Sequence, residues 1–122
     1  LIIEVELPTR TRATGPVHLS DVLAAIPENR WTWVVLDFDG VGVAPGGMPE
    51  FGDRVRAEGV PFTWEELLRF ADGQEQTIDC LIVAERAGER VAEVEAFDGG
   101  AWLVRVPDEW ERAVELLDGL RD

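Results

Sequence analysis

Residues 31–41, WTWVVLDFDGV, decide how this chain is read. Aromatic and β-branched residues crowd positions 31–38, which predicts a strand over Trp31–Phe38. Period-two alternation puts Trp31, Trp33, Val35 and Asp37 on one face and Thr32, Val34, Leu36 and Phe38 on the other. Both faces are largely apolar, so the strand belongs in the middle of a sheet. It ends on two carboxylates, Asp37 and Asp39, and then a glycine. Such a pair either does chemistry at the strand end or marks where the chain leaves the core. Beyond it, Asp39–Asp53 carries five Gly and two Pro, which predicts a long loop of the kind that often bears function.

The flanking segments place that strand. Leu1–Leu7, LIIEVEL, alternates Ile3, Val5 and Leu7 against Glu4 and Glu6, and Pro8 ends it. Thr9–Pro16 is polar and turn-rich, with Arg10 and Arg12 forming a small basic spot. Ser20 is positioned to cap a helix over Asp21–Ile26, which Pro27 stops. Phe51–Glu58 is compatible with a short helix. Thr63-Trp-Glu-Glu66 has the spacing of a capping box. It opens a helix over Trp64–Ala71 that would bury Trp64, Leu67, Leu68 and Ala71.

Thr77–Glu85, TIDCLIVAE, predicts a second buried strand. Arg90–Phe97 and Ala101–Val106 then form a hairpin around Asp98-Gly99-Gly100. A final helix over Glu109–Leu120 has Asp108 as its cap, Glu111 at the capping-box position and an apolar stripe of Trp110, Ala113, Val114, Leu117 and Leu120. The order β-α-β-α-α-β-β-β-α predicts one α+β domain over residues 1–122, with a mostly antiparallel sheet of about five strands and helices packed on it.

The length of 122 residues suits one core. Asp plus Glu number 25 against 11 basic residues, all Arg, for a net charge of -14. That balance opposes nucleic acid and anionic membranes and favours a basic protein partner or plain solubility. A single cysteine, Cys80, excludes an internal disulfide and a Cys-based zinc site. No apolar run approaches the roughly 20 residues that span a bilayer, and no signal pattern opens the chain. A cytoplasmic protein is the expectation.

The residues DFDG after an apolar strand resemble the nucleophile motif of haloacid-dehalogenase-type phosphatases. That resemblance implies a parallel α/β sheet, Mg²⁺ between the carboxylates, a later Ser or Thr, and a Lys for the phosphoryl oxygens. The chain has no Lys and no Thr after Thr77, and hairpins follow the motif. Without charge-neutralising groups, phosphoryl transfer loses most of its catalysis. Counted as a calcium loop, a start at Asp37 puts Met48 at the twelfth position, and a start at Asp39 puts Val41 at the third; both positions need oxygen. His18 is the only histidine, Cys80 sits in an apolar strand, and PGGMPEFGD lacks the Gly-Lys-Ser/Thr ending of a phosphate loop. The expectation is therefore no catalytic residue, no metal and no cofactor.

What remains is acidic surface. One candidate partner-binding cluster is Asp39, Glu50, Asp53, Glu65 and Glu66. The other is Glu111, Glu115 and Asp118, with Asp122 extending it. Segments of Trp33–Ala84, namely DFDGVGVAPGGMPEF, FTWEELLRFADG and QTIDCLIVA, resemble small acidic bacterial proteins, and the size and charge resemble immunity proteins of toxin–immunity systems. This implies binding without catalysis, by occluding a toxin. The leading expectation is a non-enzymatic acidic protein that inhibits a basic bacterial toxin, for example a nuclease. Two alternatives are a metal-dependent hydrolase using Asp37 and Asp39, and a structural protein that associates with itself through the aromatic strand or an edge strand.

Overall fold

The computed structural model describes residues 1–121, so Asp122 lies outside the described residues. The chain runs through β1 (Ile2–Pro8), β2 (Arg10–Thr11), β3 (Gly15–Pro16), α1 (Leu19–Ala24), β4 (Thr32–Gly42) and α2 (Met48–Glu58). It continues through β5 (Val60–Phe62), α3 (Trp64–Asp72), β6 (Gln74–Arg86), β7 (Glu89–Phe97), β8 (Ala101–Pro107) and α4 (Glu111–Asp118), and closes in a 3-10 turn at Gly119–Arg121. Six strands form one sheet in the order β1-β8-β7-β6-β4-β5, with β2 and β3 as a separate small pair. Every pairing is antiparallel. The α+β class therefore holds, with six strands in the main sheet instead of about five. The sixth, β5, is three residues long with Pro61 at its centre. A strand that short, broken by a residue without an N–H, carries little periodic signal.

The aromatic strand is not in the middle of the sheet as expected: it is fifth of the six, flanked by β5 only over Trp33–Val35, and its faces differ from strict alternation. The β4–β6 register steps from Val35–Ile82 to Asp37–Leu81, which makes Leu36 an extra residue. A bulge of one residue reverses the facing of everything after it. Phe38 therefore joins Trp33 and Val35 in the core, at 2% exposure, while Asp37 and Asp39 turn to the opposite face and are exposed.

The expected long loop is also corrected. β4 runs on to Gly42 against β6, and α2 begins at Met48, so only residues 43–47 connect them. The glycines serve this pairing. A Cβ on Gly42 would stand 2.5 Å from the Gly73 carbonyl oxygen and 2.8 Å from Gln74 Cα, and one on Gly40 would collide with the Gln76 carbonyl.

One core gathers all four helices on one side of the sheet. Leu19, Val22 and Leu23 of α1, Phe51 and Val55 of α2, Trp64, Leu67 and Phe70 of α3, and Leu117 of α4 meet Val5, Val35, Ile82, Val94 and Val104 of the strands. Phe38, Phe51, Phe62 and Phe70 interlock with ring centroids 5.0–6.3 Å apart. In α3 the buried set is Trp64, Leu67, Phe70 and Ala71, so Phe70 takes the place expected for the half-buried Leu68. Trp102, 1% exposed, donates its indole N–H to the Val17 carbonyl at 3.1 Å and ties the small β2–β3 pair to the sheet.

Two caps differ from expectation. Helix α1 starts at Leu19, with Asp21 accepting the His18 backbone N–H at 2.8 Å, so Ser20 lies inside the helix. Helix α4 starts at Glu111 with Trp110 at the cap position, so Asp108 lies ahead of the cap, where its backbone N–H bonds the Leu1 carbonyl at 2.9 Å. The expected box at Thr63 forms: Glu66 N–H donates to Thr63 Oγ1 at 3.2 Å and Thr63 N–H to Glu66 Oε1 at 2.9 Å.

Candidate binding surface

Among the described residues no helix covers the second face of the sheet. Its middle is apolar: Val34, Leu36, Leu81 and Leu103 are half-buried and stand apart from the main core. Val83 is fully buried between Val34 and Glu93, its partners on the flanking strands. Strand register then sets acids among these side chains. Glu6, Leu103, Glu95, Leu81 and Asp37 line up across β1, β8, β7, β6 and β4, so carboxylate and leucine alternate. Neighbouring strands lie about 4.8 Å apart, which puts successive carboxylates of this row about 10 Å from one another.

The adjoining row is Glu4, Arg105, Glu93, Val83 and Val34. Its single cation is already engaged. Arg105 meets Glu4 at 3.0 Å, Glu93 at 2.9 Å and Glu95 at 3.1 Å. Partial burial pulls the guanidinium pKa down, but the hydrogen bond to Glu95 and the charges of Glu93, Glu4 and Glu95 outweigh it and leave it raised. Three carboxylates around one guanidinium keep the cluster net negative. On the far side Asp39 pairs directly across from Asp79. Asp79 also accepts the Asp98 backbone N–H at 2.9 Å, which holds the β7–β8 turn against β6.

The expected partner-binding residues are distributed among different elements. Asp39 stands on the uncovered face with Asp37. Glu50 and Asp53 lie on α2, where Asp53 pairs with Arg56 at 3.0 Å. Glu65 and Glu66 lie in the first turn of α3. Backbone and side-chain hydrogen bonds from Thr63 hold the Glu66 carboxyl below its usual pKa, so it is committed to the cap. On α4, Glu115 pairs with Arg112 at 3.1 Å and Asp118 with Arg121 at 3.3 Å, which dilutes the expected acidic stripe; Glu111 begins the helix.

Sequence reasoning passed over Glu4, Glu6, Asp79, Glu93 and Glu95 as interface residues. For the four Glu the signal is the alternation in LIIEVEL and in ERVAEVEAF, while Asp79 interrupts the apolar run TIDCLIVAE. Only the strand order shows that the two sets share one face.

The chemistry of Asp37 and Asp39 is also constrained. The sheet around them is antiparallel, not the parallel sheet that the phosphatase resemblance implies. Among the described residues no three His, Cys, Asp or Glu side chains converge as a metal site. Cys80 is buried, its thiol 3.9 Å from the Val94 carbonyl, and burial pushes its pKa well above the ordinary thiol value. Such a thiol is a weak nucleophile. No helix among the described residues is long and apolar enough to cross a membrane. No protein-family model, no curated protein and no solved structure matches the chain.

Proposed function

We propose that this chain is a non-enzymatic, cytoplasmic binding protein of the immunity type, which docks a basic bacterial toxin such as a nuclease on the uncovered face of its sheet. The observation that carries the reading is the row Glu6–Leu103–Glu95–Leu81–Asp37. Alternating carboxylates and leucines suit a partner that presents Arg or Lys side chains between apolar ones. The carboxylates speed encounter and set register, and the leucines supply area removed from water. A second copy of this chain is a poor occupant, because its own acidic rows would face these. A basic partner relieves that repulsion.

The test is capture from the protein's own cell lysate on immobilised wild type and on a Leu81→Arg/Glu95→Arg variant. One basic protein should bind the wild type at about 0.05 M salt, weaken at about 0.5 M as charges are screened, and be lost on the variant. A Glu111→Arg/Glu115→Arg variant should retain it. Capture that ignores salt, or that survives on the sheet variant and fails on the α4 variant, removes the sheet face from the reading.

A further inference from the structure

At the end of the sheet where β4 begins and β5 ends, a groove of about 850 Å³ opens between two walls, each held by its own hydrogen bonds. The first wall is the loop before β4, built on one side chain. Asn29 Oδ1 accepts the Trp33 indole N–H at 2.8 Å and the Trp31 backbone N–H at 3.3 Å, while its Nδ2 donates to the Pro27 carbonyl at 3.0 Å. The second wall is the N-terminus of α3, held by the reciprocal Thr63–Glu66 bonds. The floor is aromatic. Trp31, Phe62 and Trp64 line it, and Trp31 is braced from behind by Trp110, stacked at 4.7 Å and 11°. Trp33 packs under Trp64 at 5.3 Å. Exposed Glu28 and Glu65 stand on opposite walls, with Arg30 the one cation of the lining.

We infer that this groove is a receptor for an arginine side chain presented by a protein partner. An indole face attracts a cation, and two exposed carboxylates, Glu28 and Glu65, line the same groove and can accept hydrogen bonds from it. The planar guanidinium meets both demands at once, by stacking on Trp31 and reaching Glu28 and Glu65, which a compact ammonium does less well. With Glu66 committed to the helix cap, Glu28 and Glu65 are the groups left to meet the cation. The walls are ordered by their own hydrogen bonds, so little ordering accompanies entry. Strand addition at this edge is disfavoured because Pro61, at the centre of β5, has no N–H to donate. The groove therefore takes a side chain rather than a strand. This site stands on its own geometry and is independent of the sheet-face reading.

The probe is the peptide acetyl-Gly-Arg-Gly-amide, titrated while the indole N–H resonances are followed. The Trp31 resonance should shift saturably. The citrulline peptide, which keeps the shape and loses the charge, should leave it unmoved, and the lysine peptide should bind more weakly. Glu28→Gln with Glu65→Gln, both exposed changes that leave the core intact, should weaken binding about fivefold. Trp31→Ala, followed at the Trp64 indole N–H that also lines the groove, should weaken it by a similar factor of about five. An absent shift, an equal response to citrulline or to lysine, or unchanged affinity in the double Glu variant overturns the inference. Because the sheet face takes no part in this titration, its outcome leaves the proposal for that face standing or falling on its own test.

Discussion

Replacing Gly42 by Ala tests why the DFDGVG stretch carries its glycines. The added methyl would lie 2.5 Å from both the Gln74 Oε1 and the Gly73 carbonyl oxygen, and 2.8 Å from Gln74 Cα. Two of these three neighbours are backbone, so the misfit cannot be relieved by rotating a side chain. Retreat is also hindered on the side-chain side. Gln74 is 8% exposed, and its Nε2 bonds the Val43 carbonyl at 2.7 Å and the Phe70 carbonyl at 3.1 Å.

Overpacking of this kind costs about 1–3 kcal/mol. The reduced freedom of the unfolded chain on replacing Gly returns only about 0.4–1 kcal/mol. A net loss of about 1.5 kcal/mol should lower Tm by about 6 °C in a domain of this size. Gly119→Ala is the control, since nothing lies within 4 Å of its Cβ and its φ is -65°. Urea titration and thermal melts followed by circular dichroism measure both. If Gly42→Ala melts with Gly119→Ala, the glycine is not there for close strand approach, and a role in a flexible, functional loop regains its standing.

Three other outcomes follow from the same geometry. Asp39→Asn should raise stability by about 0.2–1 kcal/mol in urea titration, because it removes a like-charge pair across from Asp79; a loss would mean that Asp39 holds a favourable contact. The Glu66 carboxyl has a folded pKa below its ordinary 4.5, so its contribution is present above about pH 4.5 and is lost as pH falls through the lower folded value. Thr63→Ala should remove about 1 kcal/mol at neutral pH and flatten that acid limb of the stability profile. Cys80 should react with a thiol reagent only at the rate at which the core opens, so its labelling rate should rise with urea in step with unfolding.

Much of the architecture was legible because it rests on local chemistry. The apolar density of Trp31–Phe38, the Thr63–Glu66 box and the Asp98-Gly99-Gly100 turn each act within a few residues, and each appears where it was expected. The errors arose where a distant partner decides the local outcome. Alternation cannot reveal the extra residue at Leu36, because the bulge exists only relative to β6. Gly40 and Gly42 look like loop residues until the start of β6 is laid against them. Asp108 looks like a helix cap until the helix is seen to start later, at Glu111 behind Trp110.

The binding surface divides in the same way. The sequence by itself determined that the protein is strongly acidic, lacks Lys, has one cysteine and one histidine, and belongs to the α+β class. Composition and periodicity suffice for those conclusions because charge and hydrophobic pattern are properties of residues taken singly or in short runs. Tertiary structure alone decided which acids act together. Glu6, Glu95 and Asp37 lie on three strands far apart in the chain, and hydrogen-bond register brings them into one row. The same register turned the aspartates of DFDG away from the core and onto an open sheet face, because one extra residue in a strand exchanges its inside for its outside.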